Sequence, residues 1–103
     1  MRLWVITMNR QLRRLIGHAM RFIMDISWAI EWLYHSPDHA IGILRTTLET
    51  EVKPLYMAGV LTSSEYKYIA ETINKAIRYI ENHQYDQAYY LLFGFRSNFT
   101  RQF

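Results

Sequence analysis

The chain contains no cysteine, which excludes disulfides, thiolate metal sites and thiol nucleophiles. That absence fits a reducing compartment, and a cytoplasmic location is the expectation. Two prolines and four glycines are few among 103 residues, so little interrupts regular helix. No apolar run approaches the ~20 residues that a membrane span needs. The longest covers Ala88 to Phe93 and resumes past Gly94 at Phe95, and no membrane association is expected. A Gly-rich phosphate loop, a nucleophile–base arrangement and a serine flanked by glycines are all missing. The expectation is a non-enzymatic protein with no cofactor and no bound metal.

Acid is missing from the first 24 residues, which carry Arg2, Arg10, Arg13, Arg14 and Arg21, a formal charge of +5. Residues 25–95 carry five basic residues against nine acids, and Arg96 and Arg101 bring the total to +3. Such a distribution suits an anion-binding end, or a basic helix laid against an acidic body. The apolar stretch Leu3 to Met8 is too short for a secretory signal. The abundance of Trp, Phe and Met and the lack of Ser also speak against an Arg-rich transit peptide. Either Met1 or Met8 can serve as the start.

Half of the residues are hydrophobic and 16% are aromatic, enough for a core in one domain of residues 1–103. Chains of this size bury only roughly 60–65% of their unfolded surface, so a second copy is a common source of extra stability.

The expected fold is all-α, a small antiparallel bundle of about four helices with a long first helix. Val5, Met8, Leu12, Leu15, Ala19, Phe22, Ile26, Ala29 and Leu33 alternate at the a and d positions of a heptad and predict a helix over about 3–34. Ile16, Ile23 and Ile30 widen that seam, which suits two neighbours in a bundle better than one in a coiled coil. Ser36-Pro37-Asp38 ends one helix and caps the next. The second helix, over 37–58, carries Ala40, Ile41, Leu44, Leu48, Val52 and Leu55 inward, is kinked near Pro54 and stops at Gly59. Thr62 with Glu65 has capping-box spacing and opens a helix over 63–81. A shorter helix over 85–95 is apolar nearly all round, which predicts burial on most sides, and the tail from Arg96 is expected to be loosely ordered.

The face of the first helix opposite the seam is the candidate site. Arg10, Arg14, Arg21, Met24, Trp28 and Trp32 fall within about a third of a turn of one another. Trp and Arg dominate protein-interface hot spots, so this stripe points to a protein partner or a homodimer, in the manner of an inhibitor, immunity or adaptor protein. The competing expectation is that another helix of the same chain covers both tryptophans. A different class of function, nucleic-acid binding through the arginines, is the alternative. A second candidate surface is Tyr68, Lys75 and Tyr79, where rings and a cation can stack on bases or lie flat over the bundle.

Three further groups draw notice. Glu31, His35, Asp38 and His39 gather at the first helix–helix corner, where capping chemistry accounts for them without a metal. Glu51 falls inside the second helix's apolar stripe, where a carboxylate must be paired or protonated; Arg14 and Arg45 are the expected partners. Arg13 and His18 have R-x4-H spacing, which resembles the active-site motif of the HEPN family of helical-bundle RNases, although Arg14 follows the arginine here where that family usually has a polar residue. The resemblance implies phosphate binding by Arg13 and proton transfer by His18 across a dimer interface.

Overall fold

The computed structural model describes residues 9–101, with side chains from 17 to 100. Four helices and no strand occur among these residues: α1 Asn9–Trp32, an interrupted α2 made of Pro37–Thr47, Leu48–Val52 and Lys53–Met57, α3 Ser63–Glu81 and α4 Tyr85–Arg101. The chain is a small all-α bundle. Each helix packs on its neighbour in sequence, and α1 closes the ring against α4. Short connections leave no other economical route for amphipathic helices.

The seam of α1 meets the core as its spacing requires: Ala19, Phe22, Ile26, Ala29 and Leu33 are buried, and Ile30 packs half-buried beside them. They meet Leu44 and Val52 of α2, Ile69, Ile73, Ile77 and Ile80 of α3, and Ala88, Leu92 and Phe95 of α4. Buried Thr47 and Thr72 donate to Ile43 O and Tyr68 O, both at 2.8 Å, so neither hydroxyl is left unsatisfied.

The helix ends follow local chemistry. Ser36 Oγ accepts from His39 N, with Pro37 in the first turn. Thr62 and Glu65 form a reciprocal capping box, with Glu65 N to Thr62 Oγ1 at 3.1 Å and Thr62 N to Glu65 Oε1 at 2.8 Å. Gly59, at φ 77°, ends α2 with Val60 N bonded to Leu55 O and Gly59 N to Tyr56 O. His83, at φ 59°, makes the same turn after α3.

The second helix is interrupted next to Pro54, where the sequence places a kink, and the interruption is a π turn. The chain runs α-helical over Pro37–Thr47, widens into a π turn over Leu48–Val52, and resumes over Lys53–Met57. Lys53 N donates to Leu48 O, five residues back. A proline clashes with the carbonyl four residues before it and offers it no N–H, and the widened turn takes up that mismatch one turn early.

The tail is helical to Arg101 rather than loose. Phe99 packs on Phe22 and Phe95, with ring centroids 5.0 and 6.2 Å away, and Arg96 donates to Ser27 Oγ at 3.0 Å. Nor is α4 buried on most sides, since Tyr90 and Phe93 are exposed.

Candidate functional site

The exposed face of α1 is an apolar ridge. Met20 and Met24 are 60% and 64% exposed, Trp28 is 55% exposed and Trp32 36%. No described helix covers Trp28. The four residues recur every fourth position, so they form one inclined row on the helix surface. Arg21 stands exposed at its edge. Arg10 and Arg14 belong to the same stripe in sequence, but their side chains lie outside the described residues. Met20, which the sequence reading left out, belongs to the ridge. Its spacing, four residues before Met24, was the available signal.

Trp32 is braced where α1 turns into α2. His39 meets its ring edge-on at 4.8 Å and His35 at 6.3 Å. The corner of Glu31, His35, Asp38 and His39 is thus organised around an indole. Among the described residues no group of three or more His, Asp or Glu is placed to hold a metal ion. Tyr34, two residues on, donates to Asp86 and ties the end of α1 to the start of α4; that hydrogen bond, with help from the carboxylate's charge, pushes the phenol up to about 12.

The second candidate surface lies along α3. Tyr68 lies against Phe95 at 5.6 Å, whereas Lys75 sits over the ring of Tyr79 at 5.8 Å. Tyr79 is half-buried against the core, so its ring is a platform for Lys75 more than an open stacking face.

Glu51 does not pair with Arg45. Arg45 pairs instead with Glu81 at 3.3 Å, and the Arg14 side chain is outside the described residues. The π turn brings Glu51 to α1, where its carboxyl meets that of Asp25, with Arg21 the nearby cation. Glu51 Oε1 is shielded from solvent and has no donor among the described residues. Two ionised carboxylates only accept, so the contact becomes a hydrogen bond when one of them carries a proton. Burial, then the Asp25 hydrogen bond and charge, push the Glu51 carboxyl up to about 8, against the pull of Arg21.

Glu51 also lines a groove of about 640 Å3 on the other side of Arg21 and Asp25 from the ridge. Phe22, Val52, Tyr68, Ile69, Phe95 and Phe99 make much of its wall. Half-buried His18 lies there with Ser64 and Asn98, away from the ridge; the Arg13 side chain is outside the described residues.

None of the described helices is long and apolar enough to cross a membrane. No protein-family model, curated protein sequence or solved structure matches the chain.

Proposed function

We propose a non-catalytic protein-binding role, of the inhibitor, immunity or adaptor kind, exercised through the ridge Met20–Met24–Trp28–Trp32. The observation that carries it is the exposure of Trp28, more than half of whose surface faces water. Exposed indoles at the centre of an apolar row are what protein interfaces bury.

The occupant that matches the ridge best is a second copy of the chain. Rows of residues four apart interdigitate when two helices cross at about −50°. Centred near Ile26, an antiparallel crossing sets Met24 of one copy beside Trp28 of the other, and Met20 beside Trp32. The same crossing lays the acid-free first half of α1 along the half that holds Asp25 and Glu31, so the charges are complementary end to end.

Light scattering across a concentration series tests this. A mass of two chains is expected, falling to one in Trp28→Ala/Trp32→Ala with unchanged helical circular dichroism. A monomer at every concentration would overturn the second-copy reading, and unfolding of the double variant would show the rings to be structural. The rival class, nucleic-acid binding by the arginines, is distinguished by salt. A phosphate complex weakens steeply with added salt, whereas a Trp-anchored interface responds weakly.

A further inference from the structure

The groove has a composition that selects its guest. Four aromatic rings, Phe22, Tyr68, Phe95 and Phe99, stand around it. Its acids are Glu51 and Glu65, and no Lys or Arg lines it among the described residues. Glu65 is engaged at the α3 cap, which leaves Glu51. Its Oε1 is shielded and, among the described residues, undonated, and Glu51 stands in the π turn over Leu48–Val52; π turns recur at functional sites.

Each feature eliminates a class of ligand. A carboxylate or phosphate finds an acid beside it and, among the described residues, no Lys or Arg on the wall. A purely apolar guest leaves the Glu51 oxygen as orphaned as before. A small hydrophilic cation gains nothing from the rings. An organic cation with an apolar body satisfies all three at once, because the faces of aromatic rings attract cations electrostatically and the carboxylate supplies the opposing charge.

We propose that this groove binds apolar ammonium ions, with the cationic nitrogen against the Glu51 carboxylate and the aromatic rings and the apolar body along Val52 and Ile69. Binding is coupled to a proton. In the empty groove Glu51 holds a proton between itself and Asp25 through the neutral range. The incoming cation takes that proton's place, and the proton leaves to solvent. Arg21 competes from the α1 side as the resident cation. His18 also lines the groove.

Titration calorimetry of the full chain with 2-phenylethylammonium, whose N–H groups can donate to the carboxylate, tests the proposal. Affinity is expected to rise at least tenfold from about pH 6 to about pH 9, as Glu51 ceases to need deprotonation. At about pH 7 the apparent heat should shift between phosphate and Tris buffers by an amount that reports proton release. Glu51→Gln keeps the shape and the fold, and should lose at least tenfold in affinity at about pH 9 together with the buffer dependence. The anion 3-phenylpropionate, with a ring but no positive charge, should not bind. Retained affinity in Glu51→Gln, equal binding of the anion, or no heat with the ammonium ion at any pH would each overturn the proposal. The Trp28→Ala/Trp32→Ala variant should bind the probe like the parent, so failure at the ridge and failure at the groove are separable.

Discussion

Replacing Glu51 with Gln should flatten the pH dependence of stability and raise stability in alkali. In the folded chain the Glu51 carboxyl is pushed from 4.5 to about 8, by burial first and by Asp25 second. It therefore holds its proton more tightly folded than unfolded. Between about pH 4.5 and 8 the native state carries more protons than the unfolded chain, so stability falls as pH rises through that window. Above it the loss is complete. Taken whole, the shift corresponds to about 5 kcal/mol. Glu51 is only half-buried, and solvent screening reduces this to about 1–2 kcal/mol. The glutamine side chain cannot ionise, and its amide can still donate to Asp25. Urea denaturation of parent and variant at about pH 5 and about pH 9 gives the comparison. The two chains should be within about 0.5 kcal/mol of each other at the lower pH, with the variant ahead by about 1–2 kcal/mol at the higher. Asp25→Asn should shrink the effect, since it removes the second cause of the shift. Taking the difference between chains cancels every ionisation that the two share. A gap between parent and Glu51→Gln that is equal at both pH values would refute the reasoning, because the carboxyl would then ionise normally in the fold.

Gly42 lies inside α2 with nothing within 4 Å of where a Cβ would stand, so Gly42→Ala should stabilise the chain by about 0.5–1 kcal/mol in thermal denaturation. Gly59 has equal room but sits at φ 77°, and Gly59→Ala should cost about 1 kcal/mol in the same assay. Phe99→Ala should cost about 2 kcal/mol, lowering the melting temperature by roughly 10 °C, because a half-buried ring leaves the cluster with Phe22 and Phe95; a change under about 0.5 kcal/mol would mean that the end of α4 is not docked. Ultraviolet titration should find one tyrosine ionising near 12 rather than near 10, and Asp86→Asn should return it to the ordinary range by removing the acceptor that holds the Tyr34 proton.

Much of this architecture is legible in the spacing of residues. The buried half of α1 follows from Ala19, Phe22, Ile26, Ala29 and Leu33, because a heptad of apolar side chains has one way to leave water. The Thr62–Glu65 cap and the Gly59 stop are local chemistry and can be read locally. The end of α4 is harder to read. Phe95 and Phe99 are one turn apart, but that spacing gains force only once Phe22 of a distant helix stands between them. The exposure of Trp28 was undecidable for the same reason. The row of every fourth residue was visible, while the number of neighbours around α1 was not.

The second helix shows how a local signal can be read correctly and its consequence still missed. Pro54 forbids one hydrogen bond, and from sequence a kink is the economical response. The chain inserts an extra residue into the preceding turn. One added residue rotates whatever stands there by about 100° relative to the continuing stripe. The residue affected is Glu51, which reaches Asp25 on α1 rather than Arg45 one and a half turns back on its own helix. If the proline sets the π turn, then the burial of one carboxyl oxygen, the proton it keeps and the acidic corner of the aromatic groove follow from it. Substitution of Pro54 by Ala is therefore expected to act at a distance. If Lys53–Met57 can rejoin Pro37–Thr47 as one continuous α-helix, the Glu51 carboxyl rotates away from Asp25 and its titration returns toward the ordinary carboxylate range. The groove would then lose its affinity for cations although none of its wall residues had changed. An unaltered Glu51 titration in Pro54→Ala, followed by carboxyl-carbon NMR, would show that packing against α1, and not the proline, holds the π turn in place.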